Sequence, residues 1–178
     1  MLIIVSDATA IILLEKIELL GRLLKDFKIL IPKEVEREAI IFGKERNYPD
    51  AFRLEEKVKN KMIHAVEVKD YRFVDKVMKD FNIAKGESEA ICLFNQEKAQ
   101  LLATGDKLAI KACKSLGIPI SGTCAFVTQA FDNRVIQESE ATNMIKTLAK
   151  EGRYKPEIIF NALNHISGDK NEIKINNY

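Results

Sequence analysis

Residues 2–14 read LIIVSDATAIILL, and this stretch predicts a buried strand that is followed at once by a helix. The run 2–6 is continuously apolar, which is typical of a strand covered on both faces. Helical spacing then appears at the apolar positions 10, 13, 14, 17 and 20, and Gly21 predicts the end of that helix. Asp7 lies at the junction between strand and helix.

The same order of strand and helix recurs along most of the chain. Further short apolar strands are predicted at 28–31, 62–68, 101–104 and 118–121, with helical segments between them. Strands that alternate with helices are joined by right-handed crossovers and form a parallel, doubly wound sheet. We therefore predict an α/β fold of three layers, α/β/α, around a central parallel sheet.

The second crossover is predicted in more detail because it carries a candidate acid. Pro32 suits the first turn of a helix, since its missing N–H would be unpaired there anyway. We expect that helix to reach Phe42 and to end at Gly43, and we expect a polar loop at 44–49 before a charged helix near 50–60.

The pattern changes after about residue 135, where two helices are predicted at 138–150 and 156–165. These helices are too short to hold a core of their own. We therefore expect a sheet domain over residues 1–135 and a helical C-terminal extension over residues 136–178 that packs on it.

Composition excludes some classes of protein. The formal net charge is only +2, which argues against a protein that coats nucleic acid electrostatically but leaves room for a site that handles a short stretch. The sequence has no signal-peptide pattern and no run of 18 uncharged apolar residues, so no membrane segment is expected. The cysteines are odd in number and lack CxxC spacing, which predicts free thiols in a cytoplasmic protein: Cys92, Cys113 and Cys124.

Four acids fall where the strand ends of such a sheet meet. Asp7 ends the first strand and Asp106 follows the fourth, while Glu38 lies on the helix after the second strand. Glu89 lies in the first turns of a helix that opens at Gly86. Because the crevice of an open parallel sheet lies outside the carboxyl ends of its strands, we expect all four side chains to project into the same rim.

A cluster of this kind favours a divalent cation. Two like charges about 4 Å apart repel by roughly 4 kcal/mol at an effective dielectric near 20, and a cation removes that conflict. Oxygen ligands with retained waters suit Mg²⁺ or Mn²⁺. The hydroxyls of Ser6 and Thr104 neighbour two of the acids and are expected to orient them. Acids are also common at strand ends and helix caps, so the spacing alone leaves both a metal site and four ordinary surface acids open.

Four blocks of the sequence resemble the PIN family, in particular its toxin-like bacterial and archaeal branch of predicted nucleases. IIVSDATAIILLEKI is similar to the first strand and helix of that branch, and IPKEVEREAI to its proline-led second helix. GESEAICLF matches its Gly-Glu-x-Glu-Ala helix start, and LLATGDKLAIKACKSLGIPISGT resembles its fourth and fifth strands. The loop from Gly43 to Asn60 is longer and more charged than the resemblance leads us to expect.

The resemblance implies a ribonuclease that depends on Mg²⁺ or Mn²⁺, and in many relatives the toxin of a toxin–antitoxin pair. RNA is then the substrate, an antitoxin protein is a potential partner, and a homodimer is expected. The metal acids implied are Asp7, Glu38, Glu89 and Asp106, with Glu87 as a further acid that could share the role.

Two other interpretations stay open at this point. A phospho-accepting receiver domain also places an acid at a strand end, but it needs paired acids after the first strand and here Asp7 stands alone. A non-catalytic PIN-fold module that binds RNA or a protein is the main alternative. The cations Lys107, Lys111 and Lys114 lie on one face of the helix after Asp106; they are typical of a solvated face, and they would also suit a phosphate backbone.

Overall fold

Five parallel strands form the sheet of this protein in a computed structural model that describes residues 1–168. The strands are β1 (Leu2–Ser6), β2 (Phe27–Pro32), β3 (Ile63–Val66), β4 (Leu101–Ala103) and β5 (Ile120–Ser121). Their spatial order is β3-β2-β1-β4-β5, and every neighbouring pair is parallel. Helices flank this sheet, so the predicted three-layer α/β/α fold is confirmed.

Two groups of helices connect the strands. The crossovers from β1 to β3 contain α1 (Ala8–Lys16), α2 (Leu20–Leu23), α3 (Lys33–Glu36), a π turn (Arg37–Ile41), α4 (Phe42–Glu45) and α5 (Pro49–Lys59). The crossovers from β3 to β5 contain α6 (Tyr71–Phe81), α7 (Lys85–Gln96) and α8 (Lys107–Ser115). Since the chain runs outward from β1 in the first group and back across the sheet in the second, right-handed crossovers place the two groups on opposite faces.

The helix layer formed by α6, α7 and α8 has its core between the sheet and α7. Val5 on β1 and Leu102 on β4 pack into one apolar cluster with Ile91 and Leu93 of α7, all at most 1% exposed. Consecutive residues of β1 and β2 are buried, so both faces of these strands are covered, as the apolar run 2–6 predicted. The strand ends are therefore held rigidly, which matters because candidate functional residues follow them directly.

The chain divides into two compact units, Met1–Thr123 and a second unit that begins at Cys124. In the second unit, α10 (Glu138–Glu151) and α11 (Pro156–Ser167) pack against each other, and α9 (Thr123–Asp132) precedes them. The His165 ring lies 2.8 Å from the Asp132 carboxylate and links the end of α9 to α11. Among the described residues, no helix has the length and apolarity that a bilayer crossing requires.

Both predicted glycine stops are wrong. The first helix already ends at Lys16, because Glu18 adopts a left-handed conformation (φ 59°) and Leu19 N–H donates to the Leu14 carbonyl as in a Schellman cap. Gly21 instead lies inside α2. A charged residue takes the position that favours glycine, and no local sequence signal marks this choice.

Gly43 also lies within a helix, α4, and not behind one. An added Cβ there would lie 2.6 Å from the Ala51 Cβ, so the glycine permits α4 and α5 to approach closely. The expected loop at 44–49 is shorter than predicted, since only residues 46–48 lie outside α4 and α5. The three cysteines are free and buried, as predicted.

We predict that Gly43→Ala destabilises the protein by about 1–3 kcal/mol, because α4 and α5 must move apart to admit the methyl group. Gly21→Ala is the matched control: it is also a helical glycine, but its added Cβ meets nothing within 4 Å. That substitution should be neutral or stabilising by up to about 1 kcal/mol. Urea denaturation of both variants measures the difference, and equal stabilities would contradict the close approach.

Candidate active site

The candidate site opens where the strand order reverses. The first two crossovers lead from β1 toward β3, whereas the next strand along the chain, β4, pairs on the other side of β1. A crevice forms at such a switch point, outside the carboxyl ends of the two strands. Asp7 follows β1 and Asp106 follows β4, and the Asp7 N–H donates to the Ala103 carbonyl of β4 at 3.1 Å. The topology thus brings both aspartates to one edge.

Each aspartate is fixed because it also caps a helix. Asp7 Oδ1 accepts the Ala10 N–H of α1 at 2.7 Å, and Asp106 Oδ1 accepts the N–H groups of Leu108 and Ala109 of α8 at 2.8 and 2.9 Å. These bonds occupy one carboxylate oxygen of each residue. The other oxygen of Asp7, Oδ2, is buried and has no hydrogen-bond partner within residues 1–168.

Glu38 reaches the same rim from the π turn. This turn interrupts the helical path between α3 and α4, and such single turns occur frequently at functional sites because they re-aim a side chain. The Glu38 carboxylate lies against the main chain of Gly86, where an added Cβ would come within 2.8 and 2.9 Å of its two oxygens. Gly86 therefore provides the space in which Glu38 sits.

Glu87 is the fourth acid that the structure brings to this cluster. It lies in the first turn of α7, directly after Gly86, and its Oε2 is buried without a hydrogen-bond partner in the described part of the chain. The negative charge of Glu87 raises the pKa of both Asp7 and Glu38, so the three carboxyl groups interact as one cluster. From the sequence, Glu87 is predicted only as a residue that could share the role.

Burial and mutual repulsion disfavour the charged forms of Asp7 and Glu38. The pKa of Asp7 is raised to about 6, chiefly by burial and also by the charges of Glu87 and Asp106, while the Thr104 hydroxyl and the Ala10 N–H act to lower it. Burial likewise raises the pKa of Glu38 to about 7, with Glu87 as the next cause. Both groups would be charged more readily beside a cation.

Glu89 lies in a different environment. Its Oε2 accepts the Glu34 N–H at 3.2 Å, and its Oε1 lies 3.5 Å from the Lys85 ammonium. Lys85 also pairs with Glu34, which in turn binds the Arg37 guanidinium. Glu89 therefore belongs to an ion-pair network that joins α3 to α7. Of the four predicted acids, the structure brings Asp7, Glu38 and Asp106 together with Glu87.

The two predicted hydroxyl partners differ in what they contact. The Thr104 hydroxyl interacts with the Asp7 carboxylate and accepts the Asp106 N–H at 3.3 Å, so one side chain touches both aspartates. Ser6 instead donates to the main-chain carbonyl of Asp7 at 3.1 Å. Thr123 was not predicted; its buried hydroxyl has no partner among residues 1–168 and lies just beyond the carboxyl end of β5.

The donor set fits a hard divalent cation. Its ligands would all be carboxylate oxygens, the type that Mg²⁺ and Mn²⁺ prefer, and two of these oxygens are buried without a partner, Asp7 Oδ2 and Glu87 Oε2. In the described residues, no three Asp, Glu, His or Cys side chains are arranged so that they could hold an ion without rearrangement. Ion binding would therefore require some of these side chains to change rotamer.

Comparison with known proteins returned one finding. The family described as "DUF3368: PIN domain" matches residues 3–167, which includes both compact units up to the end of α11. The comparisons with curated proteins and with solved structures each returned no match. The family match agrees with the resemblance seen in the four sequence blocks.

We predict that Asp7→Asn stabilises the metal-free protein at pH 8 but not at pH 4. The folded-state pKa of Asp7, about 6, lies above the ordinary 3.8, so the folded protein binds the proton more tightly than the unfolded chain. The protonated Asp7 carboxyl therefore adds to the free energy of unfolding below pH 4, and this contribution is lost as the pH rises to about 6. The loss amounts to about 3 kcal/mol. Asn mimics the protonated form of Asp7 and therefore avoids this loss of stability.

Urea denaturation in EDTA at pH 4 and pH 8 measures this difference. Asp26→Asn, at an exposed acid in the turn before β2, is the matched control and should respond alike at both pH values. A variant Asp7→Asn that is less stable than the wild type at pH 8 would contradict the buried, unpaired carboxylate.

Proposed function

Since this chain belongs to the PIN-domain family, whose members are generally nucleases, we propose that it is an endoribonuclease that hydrolyses RNA phosphodiester bonds with Mg²⁺ or Mn²⁺. The observation that carries the proposal is the convergence of Asp7, Glu38, Glu87 and Asp106 at the switch point of the sheet. Burial without partners makes the charged form of such carboxylates costly, and a bound cation removes that cost. RNA as the substrate is supported by the resemblance of the sequence blocks.

Asp7, Glu87 and Asp106 would hold the cation in this proposal. When bound, a divalent ion lowers the pKa of a water molecule and neutralises charge on the phosphate that is cut. Glu89 was the third ligand predicted from the sequence, and its hydrogen bonds to Glu34 and Lys85 favour a supporting role instead.

The remaining chemistry falls to groups of the chain itself. Asp7 and Asp106 keep fixed orientations because the N–H groups of α1 and α8 hold one oxygen of each. Glu38 lies at the same rim and is not assigned to the cation, so its carboxylate can take the proton of the attacking water. Water attacks phosphorus, the P–O bond to the leaving nucleoside breaks, and solvent protonates the leaving oxygen without a covalent intermediate.

A role as the toxin of a toxin–antitoxin pair, with an antitoxin partner and a homodimeric state, belongs to the same proposal. Its support is the resemblance of the sequence to toxin-like nucleases.

We predict that the purified protein cuts a structured RNA pool in Mg²⁺ or Mn²⁺ and not in EDTA. Asp7→Asn and Asp106→Asn should each lower cleavage by about 10²-fold or more, because each removes a charge that faces the cation. Gel analysis of end-labelled RNA measures the rate, with circular dichroism as a check of the fold. Absence of both cleavage and metal binding would favour the alternative, a non-catalytic module that binds nucleic acid or protein.

A matched pair of variants separates the two glutamates of α7. We expect Glu87→Gln to lower cleavage by about 10²-fold with little change in stability, since its buried oxygen has no partner to lose. Glu89→Gln should keep most of the cleavage but lower the free energy of unfolding by about 1–3 kcal/mol, because it breaks the charge pair with Lys85. The reverse result would make Glu89 the ligand, as the sequence predicted.

A further inference from the structure

Two stripes of positive charge lie on the outer helices of one layer. On α6, Arg72, Lys76 and Lys79 recur at i, i+4 and i+7. On α8, Lys107, Lys111 and Lys114 repeat the same spacing, which places the members of each stripe on one side of the helix. All six side chains are exposed, and we refer to them together as the α6–α8 basic face.

The two stripes belong to one surface because α6 and α8 contact each other. The opposite sides of the helices enter the core: Val74 and Val77 of α6 are buried, and so are Ala112 and Cys113 of α8. The charged sides must therefore both face outward from the same layer. Along α8, the stripe extends over roughly 10 Å at 1.5 Å per residue.

The cations of the α6–α8 basic face have no salt-bridge partner among residues 1–168, in contrast to several cations of the other layer. There, Lys44 and Lys59 pair with Glu55, and Arg53 and Lys57 pair with the buried Glu15. On α6, Asp75 and Asp80 are also exposed and offset two of the six cations; α8 contains no acid. With six cations and two acids, the α6–α8 basic face therefore carries an excess of positive charge.

The position of the stripes relates them to the acid cluster. α8 begins at the carboxyl edge of the sheet, where Lys107 directly follows Asp106. Only residues 82–84 separate the end of α6 from the start of α7, which lies at the same edge, so Lys79 is the cation of the α6 stripe nearest the acid cluster. Tyr71, 44% exposed, stands beside Arg72 at the other end of α6, where the Lys69 N–H donates to Gln96 and the Asp70 carbonyl accepts from the Cys92 thiol, both in the second half of α7. Its hydroxyl donates to Glu67, which orients the ring.

We propose that the α6–α8 basic face, with Tyr71 at the end away from the acid cluster, is the docking surface for the phosphate backbone of single-stranded RNA on its way to that cluster. Free cations at 5–6 Å spacing suit a chain of phosphates, and an exposed aromatic ring offers a stacking platform for an unpaired base. The identity of the ligand rests on the proposed ribonuclease function, whereas the presence of a polyanion-binding surface rests on the charges themselves.

The test measures binding in place of cleavage, so that it remains informative even if no RNA is cut. A fluorescent 20-nucleotide poly-uridine is titrated with Asp7→Asn protein in EDTA at several salt concentrations. Two triple variants in that background, Arg72/Lys76/Lys79→Gln and Lys107/Lys111/Lys114→Gln, each remove three cations of the α6–α8 basic face. We expect each to raise Kd roughly 10- to 100-fold at 0.1 M salt and to reduce the slope of log Kd against log salt by about 2.

A third triple variant is the matched control. Lys25, Lys61 and Lys98 are exposed cations in the turns before β2, β3 and β4, at the opposite edge of the sheet. Changing them to Gln removes the same charge and should leave Kd and the salt slope nearly unchanged. Equal losses in all three variants would show attraction by total charge only and would overturn the proposal. Unchanged binding in the α6 and α8 variants would overturn it too, and would leave the surface to an acidic protein partner.

Tyr71 provides a second readout that charge alone does not move. Tyr71→Leu should weaken poly-uridine binding by about 5-fold or more without altering the salt slope, because one stacked base is lost. Tyr71→Phe retains the ring and should bind like the parent protein. If both variants bind equally well, the ring takes no part in docking and that element of the proposal falls.

Discussion

Burial of the Asp7 carboxylate between β1, α1 and β4 is the interaction on which the rest of the site depends. The residue ends the central strand, caps the first helix and bonds to the end of β4, so its position is set by the whole sheet. Water is excluded there, and three further acids act on the same carboxylate: Glu38, Glu87 and Asp106. A fold selected for stability alone would place an uncharged residue at this point, because a buried charge without a partner is costly.

The near-neutral total charge conceals a strong separation of charge within the first unit. Acids gather at the carboxyl edge, a network that includes Glu34, Lys85 and Glu89 ties α3 to α7, and Glu15 binds Arg53 and Lys57 between α1 and α5. Within residues 1–168, the exposed cations of α6 and α8 have no salt-bridge partner. The small net charge therefore disfavours extensive nucleic-acid contact for the molecule as a whole but not for each of its faces.

The strands and the two aspartates were predictable, since apolar runs define buried strands and the residue after a strand end is placed by the sheet itself. The glutamates were harder, because their direction depends on the rotation of a helix. Glu87 and Glu89 are two positions apart and point to nearly opposite sides of α7, so the motif alone does not tell which one faces the rim. The predicted helix ends at Gly21 and Gly43 were wrong for a related reason. Glu18 adopts the left-handed conformation that ends the first helix, and Gly43 permits a close contact with Ala51 of another helix.

By itself, the sequence determined the alternation of strands and helices, the parallel sheet, the family resemblance and the placement of Asp7 and Asp106 at strand ends. These features follow from local patterns of apolar residues and from connection rules that hold for any such chain. Only the tertiary structure decided that the π turn aims Glu38 at Gly86, that Glu87 joins the cluster while Glu89 pairs with Lys85, and that the cations of α6 and α8 share one face. Those outcomes depend on helix rotation and on contacts between elements far apart in the chain, which local spacing does not encode.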